Sequence, residues 1–386
     1  MSKQHFRTRA IHVGNEPDAQ TGAVVPPIHV ASTYVQPGAG EWGEFDYSRS
    51  GNPTRKNLEK TLTSLESGFG ALAFASGMAA THAVTMLLKS GDHVVAGTDI
   101  YGGSYRLFHE VVKDVGIEVN LVDASDSTAV ENALKPSTRL IWIESPGNPL
   151  MTITSIEKCA AIAQRHGVWL GVDNTFATPV LTRPLELGAD VSMHSATKYL
   201  GGHSDVLGGA LVVKDEELFE RLYFIQNATG AVLSPLDSFL VSRGIKTLDL
   251  RVREHCRTAM KLAEFLDQDS RVERVLYPGL ACHPQHELAQ SQMSGMYGAM
   301  ISFEVRGDFA AAKAVAEGTR LFQLAVSLGA VESLIEQPAS MSHASYAPAD
   351  RSAHGIQDQL IRISVGLEDF EDLRRDLDQA LDAAHS

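Results

Sequence analysis

The strongest constraint on this fold is an alternation within residues 61–250. Short apolar runs occur at 71–75, 94–96, 119–122, 140–143, 168–172, 191–193 and 210–213, and segments of helical period separate most of them. Strands interleaved with helices predict an α/β chain, with a mostly parallel sheet flanked by helices on both faces. Beyond residue 250 the pattern changes. Helical periodicity at 254–266 is followed by strand-like runs at Val272–Leu276, Met300–Val305 and Leu360–Ser364, and an acidic amphipathic helix at 368–381 closes the chain. This predicts a smaller C-terminal α+β domain. Residues 1–60 are rich in turn formers, among them Pro26-Pro27, Pro37-Gly38 and Gly51-Asn52-Pro53. That segment is too polar to pack alone and is expected to lie as an arm on another surface. The expected units are therefore 1–60, 61–250 and 251–386.

Composition removes several classes of function. A net charge of -14 argues against a nucleic-acid surface and an anionic-membrane patch. Cys159, Cys256 and Cys282 are scattered and form no C-x-x-C, which predicts a reducing, cytoplasmic setting without a disulfide scaffold or zinc site. The first residues are polar and basic and lack the apolar core of a signal peptide. No apolar run reaches the length of a membrane span. In His283-Pro284-Gln285-His286 the proline argues against a metal-ligand helix, and a solvated loop is expected.

The chemistry concentrates in residues 190–209. Val191 and Met193 alternate with Ser192 and His194 as in a strand, after which the chain turns to hydroxyls, one lysine and glycines. A lysine amine whose charge is suppressed can condense with an aldehyde, which makes Lys198 the candidate catalytic residue. Ser195 and Thr197 are hydroxyl donors suited to a phosphate, and Gly201 and Gly202 permit close backbone approach. Aldehyde plus phosphate describes pyridoxal phosphate. The alternative is a polar turn with a solvated lysine. Asp173 ends the run 168–172, at the strand mouth where open α/β sheets bind ligands. A carboxylate there can keep a pyridinium nitrogen protonated, or can simply cap a turn.

Other candidates lie along the chain. Ser76-Gly77-Met78 leads into a helix whose free N–H groups suit a phosphate, although Ser76 could be an ordinary N-cap. Tyr47 and Arg49 place a phenol and a guanidinium beside a tight turn, and a solvated loop is the alternative. Asn148, in Glu144-Ser145-Pro146-Gly147-Asn148-Pro149, can offer its amide to a cofactor or a substrate carboxylate, or serve a turn. Arg362 alternates with Ile361 and Ile363 on a strand expected to be half-buried. It needs an anion there, either a substrate α-carboxylate or a structural partner.

Val172-Asp173-Asn174-Thr175 and Ser195-Ala196-Thr197-Lys198-Tyr199 resemble the cofactor site of the Cys/Met-metabolism family of pyridoxal-phosphate enzymes. That family includes cystathionine γ-synthases, cystathionine γ- and β-lyases, methionine γ-lyases and O-acylhomoserine sulfhydrylases. The resemblance covers nearly the whole chain. It implies the fold-type-I transferase architecture, with 61–250 as the cofactor-binding domain. It implies that Gly77 and Met78 take the phosphate and that Tyr101 stacks on the ring and exchanges protons. It implies that Tyr47 and Arg49 reach the phosphate of a neighbouring subunit, in a homotetramer built as a dimer of dimers. Ser327 would position the lysine, and Arg362 would take the substrate α-carboxylate. Arg106 resembles the arginine that faces the distal carboxylate in the cystathionine enzymes, and Asp46 matches the acidic position on the opposite wall.

Two positions bear on the reaction. Gly103 stands where methionine γ-lyases carry cysteine. Val326 stands where cystathionine γ-synthases and γ-lyases carry glutamate, and where methionine γ-lyases and several β-lyases carry an apolar residue. The expectation is a transsulfuration enzyme that makes or breaks the C–S bond of cystathionine, of γ-lyase or γ-synthase type. The alternatives are a cystathionine β-lyase, a methionine γ-lyase, an aminotransferase on a similar fold, and a catalytically silent regulator. The expected partner is a small amino-acid substrate, with no metal, nucleic acid or membrane.

Overall fold

All seven apolar runs become strands of one sheet in the computed structural model, which describes residues 4–344, 351 and 355–385. They are β1 (Gly70–Phe74), β2 (His93–Gly97), β3 (Glu118–Val122), β4 (Thr138–Glu144), β5 (Trp169–Asp173), β6 (Val191–Ser195) and β7 (Gly209–Val213). Their order is β1-β7-β6-β5-β4-β2-β3. Strand β7 is antiparallel to both neighbours, and the remaining pairs are parallel. The period of two sends alternate side chains into different cores. Ala71, Ala73 and Val212 pack with Leu58, Leu62 and Leu65. Leu72, Phe74 and Leu211 pack with Ala80 and Val84.

The parallel strands share one C-terminal edge, where Asp173 ends β5 and the loops that follow the strands carry Tyr101, Asn148 and Lys198. The second sheet closes over that edge. It contains β8 (Val272–Leu276), β9 (Met300–Val305), β10 (Gln323–Leu324), β11 (Leu334–Glu336) and β12 (Leu360–Ser364), in the order β10-β11-β12-β9-β8. Leu373, Leu377 and Leu381 of the helix Phe370–Ala384 join Ile301, Phe303, Ile361 and Ile363 in its core.

Three local features differ from the sequence reading. Gly51-Asn52-Pro53 does more than break the arm, because it starts a helix, Pro53–Glu66. Asn52 caps it by accepting from Thr54 and Arg55 N–H groups, and Pro53 occupies the first position, where a missing N–H costs nothing. This helix runs through residue 60, just as Leu248–Asp267 runs through residue 250. His283 is buried and not in a solvated loop, and burial pushes its imidazole down to about 4. His286 stacks on Tyr297 at 5.3 Å between ring centroids. Finally, β12 is buried along its whole length and not half-buried. Among the described residues no helix is long and apolar enough to cross a membrane, and no acidic, histidine or cysteine cluster suits a metal ion.

Candidate active site

A cavity of about 380 Å³ lies between the C-terminal edge of the large sheet and the segments carrying Ser327 and Arg362. Lys198 reaches it from the turn after β6. That turn is pinned from behind, because Arg251 donates to the carbonyls of Tyr199 and Gly244, each at 2.8 Å. Gly202 has φ +72°, and a Cβ there would lie 2.2 Å from the Arg251 guanidinium, so only glycine fits. Lys198 Nζ donates to Ser327 Oγ at 2.7 Å. Ser327 holds φ +109°, an uncommon backbone state for a residue with a side chain. Burial pushes the Lys198 amine down to about 8; Arg362 adds to the shift and Glu336 opposes it. An amine near 8 is available as nucleophile and base at neutral pH, unlike an ordinary lysine.

Gly77 begins the helix Gly77–Thr85. Ser76 is indeed its N-cap, accepting from Ala79 N–H at 3.1 Å, and it also lines the cavity with Gly77 and Met78. Ser195 and Thr197 line the same space. The Ser195 N–H donates to Thr175 Oγ1 at 2.8 Å, which ties β6 to the loop after β5. Asp173 ends β5 and faces the cavity, with Oδ1 accepting the Thr175 N–H at 3.0 Å. Burial raises its pKa, while the bonds from Thr175 and the nearby His194 pull it down. This donor set fits pyridoxal phosphate: a helix N-terminus and hydroxyls for the phosphate, an amine for the aldehyde, and a carboxylate for the ring nitrogen.

Tyr101 opens the helix Gly102–Arg106 and is 41% exposed at the cavity mouth. A Cβ at Gly103 would lie 2.3 Å from the Tyr101 ring and 2.9 Å from the Met78 sulfur, so a cysteine there would force the ring to move. Arg106, Asn148 and Val326 also line the cavity, and Val326 is 58% exposed. Arg362 already has an anionic partner. Its Nη1 lies 3.1 Å from Glu336 Oε1 and donates to Asn148 Oδ1 at 2.8 Å, and its Nη2 donates to the Ser327 carbonyl at 3.1 Å. Arg362 Nε has no partner among the described residues.

Asp46, Tyr47 and Arg49 do not line this cavity. Arg49 instead donates to Asn227 and lies over the Tyr47 ring, and Asp46 Oδ1 accepts the Tyr47 N–H at 2.6 Å. The sequence reading missed two acidic residues at the site. Glu144 ends β4 as the register partner of Asp173 and accepts the Tyr101 N–H at 2.8 Å. Burial, then the charge on Asp173, raises it well above the usual carboxylate range. An acid at the end of an apolar strand was the available signal. Glu336 faces Arg362 across the β11–β12 pair, a relation no local pattern reveals.

The family described as Cys/Met metabolism PLP-dependent enzyme matches residues 7–382. The chain belongs to this family. As a Cys/Met-metabolism enzyme it depends on pyridoxal phosphate and has the fold-type-I architecture. Human cystathionine γ-lyase is 50% identical over 384 residues, covering 99% of this chain and 95% of that protein. Cystathionine β-lyase of Coxiella burnetii is 51% identical over 381 residues, covering 98% of each. The crystal structure of cystathionine γ-lyase from Lactobacillus plantarum complexed with L-serine superposes with a TM-score of 0.97 at 43% identity, covering 99% of this chain and 100% of that one.

Proposed function

We propose that this enzyme breaks the C–S bond of cystathionine as a γ-lyase, with the γ-synthase reaction as its bond-forming counterpart. The carrying observation is that one cavity holds a depressed lysine amine with two arginines, Arg362 and Arg106. Cystathionine has a carboxylate at each end. Arg362, seated by Asn148, suits the α-carboxylate beside the reacting carbon, and Arg106 suits the distal one. Gly77, Met78, Ser195 and Thr197 would hold the cofactor phosphate, and Tyr101, at the same cavity, would contact the ring. Bound pyridoxal phosphate supplies the electron sink for charge developing at Cα. Asp173 keeps the proton on the ring nitrogen. Lys198 removes the Cα proton, and for γ-cleavage it also carries a proton from Cβ, while Tyr101 assists at the leaving sulfur.

Cystathionine β-lyase is the second reading. Val326 puts an apolar side chain on the cavity wall where the γ-enzymes carry glutamate, and a β-lyase is among the relatives at about half identity. Purified enzyme given L-cystathionine decides between them, because γ-cleavage releases cysteine and β-cleavage releases homocysteine. In the same experiment Arg106→Ala should lower kcat/KM for cystathionine more than for methionine, which lacks the distal carboxylate. A charge-assisted pair contributes about 1.5–3 kcal/mol, so selectivity should fall about tenfold to a hundredfold. Val326→Glu should narrow the substrate range toward cystathionine or O-acylhomoserine. Equal losses on all substrates in Arg106→Ala would make that arginine structural.

The reading extends to a homo-oligomer, a tetramer as a dimer of dimers. Val24, Val30, Val35 and Trp42 of the arm are 79%, 80%, 99% and 74% exposed, an apolar surface suited to a second copy. Tyr47 and Arg49 lie outside the chain's own cavity and would complete the partner's site. Mixing Lys198→Ala with Arg49→Ala subunits should therefore restore activity in hybrids, since one site in each hybrid dimer is intact. Hybrids demonstrated by mass and lacking recovery would count against shared sites. Free thiols at Cys159, Cys256 and Cys282 fit a reducing, cytoplasmic setting.

A further inference from the structure

We infer that Asp99 and Glu144 form a reciprocal clasp between the loops carrying Tyr101 and Asn148, and that Asp99 is a positioning residue for the substrate-carboxylate subsite. The inference rests on the reading that Asn148 and Arg362 take that carboxylate. Strands β2 and β4 are parallel neighbours, with Ala96 opposite Trp142. Each sends a carboxyl into the loop of the other. Glu144, at the end of β4, accepts the N–H of Tyr101 from the loop after β2, at 2.8 Å. Asp99, in the loop after β2, accepts the N–H groups of Leu150 and Thr152 from the loop after β4, at 3.2 and 3.1 Å.

The contact is tight. A Cβ on Gly147 would lie 2.2 Å from Asp99 Oδ2 and 2.8 Å from the Asp99 carbonyl, so the loop can lie on Asp99 only with glycine at that position. The loop closes on itself through Gly147 N–H to the Thr152 carbonyl at 2.8 Å. Asn148 therefore sits on a loop held from below by Asp99, and its amide oxygen receives Arg362 Nη1 at 2.8 Å. A shift of the loop is transmitted to Arg362 through that bond.

Asp99 and Glu144 also border a second cavity of about 380 Å³, on which the proposed chemistry makes no demand. The titratable groups lining it, among the described residues, are Asp99, Asp123 from beyond β3, and Glu144 from β4. The loop 147–152 contributes none, and Gln285 is neutral. Burial raises the Asp99 carboxyl to about 6, with a smaller push from Asp123, while the Leu150 and Thr152 bonds oppose the rise. Above that pH the two loop N–H groups meet a carboxylate, and charge-assisted bonds of this kind are roughly twice as strong as neutral ones. Below it they meet a neutral acid and the clasp loosens.

The test measures the affinity of the holoenzyme for an α-methyl amino acid, which has no Cα proton to lose, through the change in visible absorption. Wild type should bind about tenfold more weakly as pH falls through about 6. Asp99→Asn should bind about tenfold more weakly at pH 8 and show no step near 6, with cofactor retention unchanged. A step that persists in Asp99→Asn, or an affinity there within about twofold of wild type, overturns the clasp. If the variant does not fold, a flat wild-type titration between pH 5 and 7 overturns it as well. Arg362→Lys separates the carboxylate subsite from the clasp. Binding unaffected by Arg362→Lys overturns the carboxylate subsite itself. Binding weakened by Arg362→Lys but not by Asp99→Asn overturns the clasp alone.

Discussion

Lys198→Ala should lower kcat/KM on cystathionine by about four orders of magnitude and leave the cofactor without a covalent attachment. On the proposed reading the amine serves twice, as the attachment point and as the proton carrier, and general-base groups alone contribute about 10²–10⁴-fold. Little else at the site should change. The substitution removes the bond from Lys198 Nζ to Ser327 Oγ, but Arg362 keeps Asn148 and Glu336, and the helix N-terminus at Gly77 is untouched. The variant should therefore still bind pyridoxal phosphate, reversibly. Two measurements check this. Borohydride reduction of wild type followed by peptide mapping should place the cofactor on Lys198, and a label on any other lysine would overturn the assignment. A small primary amine added to Lys198→Ala should restore part of the proton transfer, which a folding defect would not allow.

How legible the site was depends on the range of each interaction. Lys198, Asp173 and Arg362 announce themselves because each interrupts a local pattern: a lysine among hydroxyls and glycines, an acid at the end of an apolar run, an arginine between isoleucines. The strands were visible in a similar way: apart from the half-exposed edge strand β3 they are buried almost throughout, and strands buried on both faces read as continuous apolar runs. What the sequence could not display was pairing. Glu336 meets Arg362 only because β11 and β12 align in antiparallel register. Asp99 meets the loop 147–152 only because β2 and β4 are neighbours although β3 lies between them in the chain. The arm was misjudged in a different way. Its prolines and glycines hid the helix start at Asn52-Pro53, where a breaker is also a cap. Asp46, Tyr47 and Arg49 were legible as residue types, but they lie outside the chain's own cavity, and the proposal gives Tyr47 and Arg49 a place only in a second copy's site.

Asp173→Asn should cost two to nearly four orders of magnitude in kcat/KM, with the fold intact. Asp173 is 5% exposed at the end of β5, where burial disfavours its charge. The neighbouring Glu144, its register partner, is raised well above the usual carboxylate range by burial and then by the charge on Asp173. A buried carboxylate of this kind is sustained by a positive partner, which on the proposed reading the protonated ring nitrogen would supply. Breaking one side of a buried ion pair costs about 3–5 kcal/mol, and that is the origin of the predicted range. Asparagine makes the test clean. Its Oδ1 can still accept the Thr175 N–H, and the backbone bond from Asn174 N–H to the Met193 carbonyl does not involve the substituted side chain. What is lost is the charge. An unprotonated ring is a poorer electron sink, so the loss should fall on kcat, with a smaller change in KM. The visible absorption of the bound cofactor should shift as the ring nitrogen loses its proton. Activity within about threefold of wild type, with the spectrum unchanged, would remove Asp173 from the chemistry and leave it a turn-forming residue.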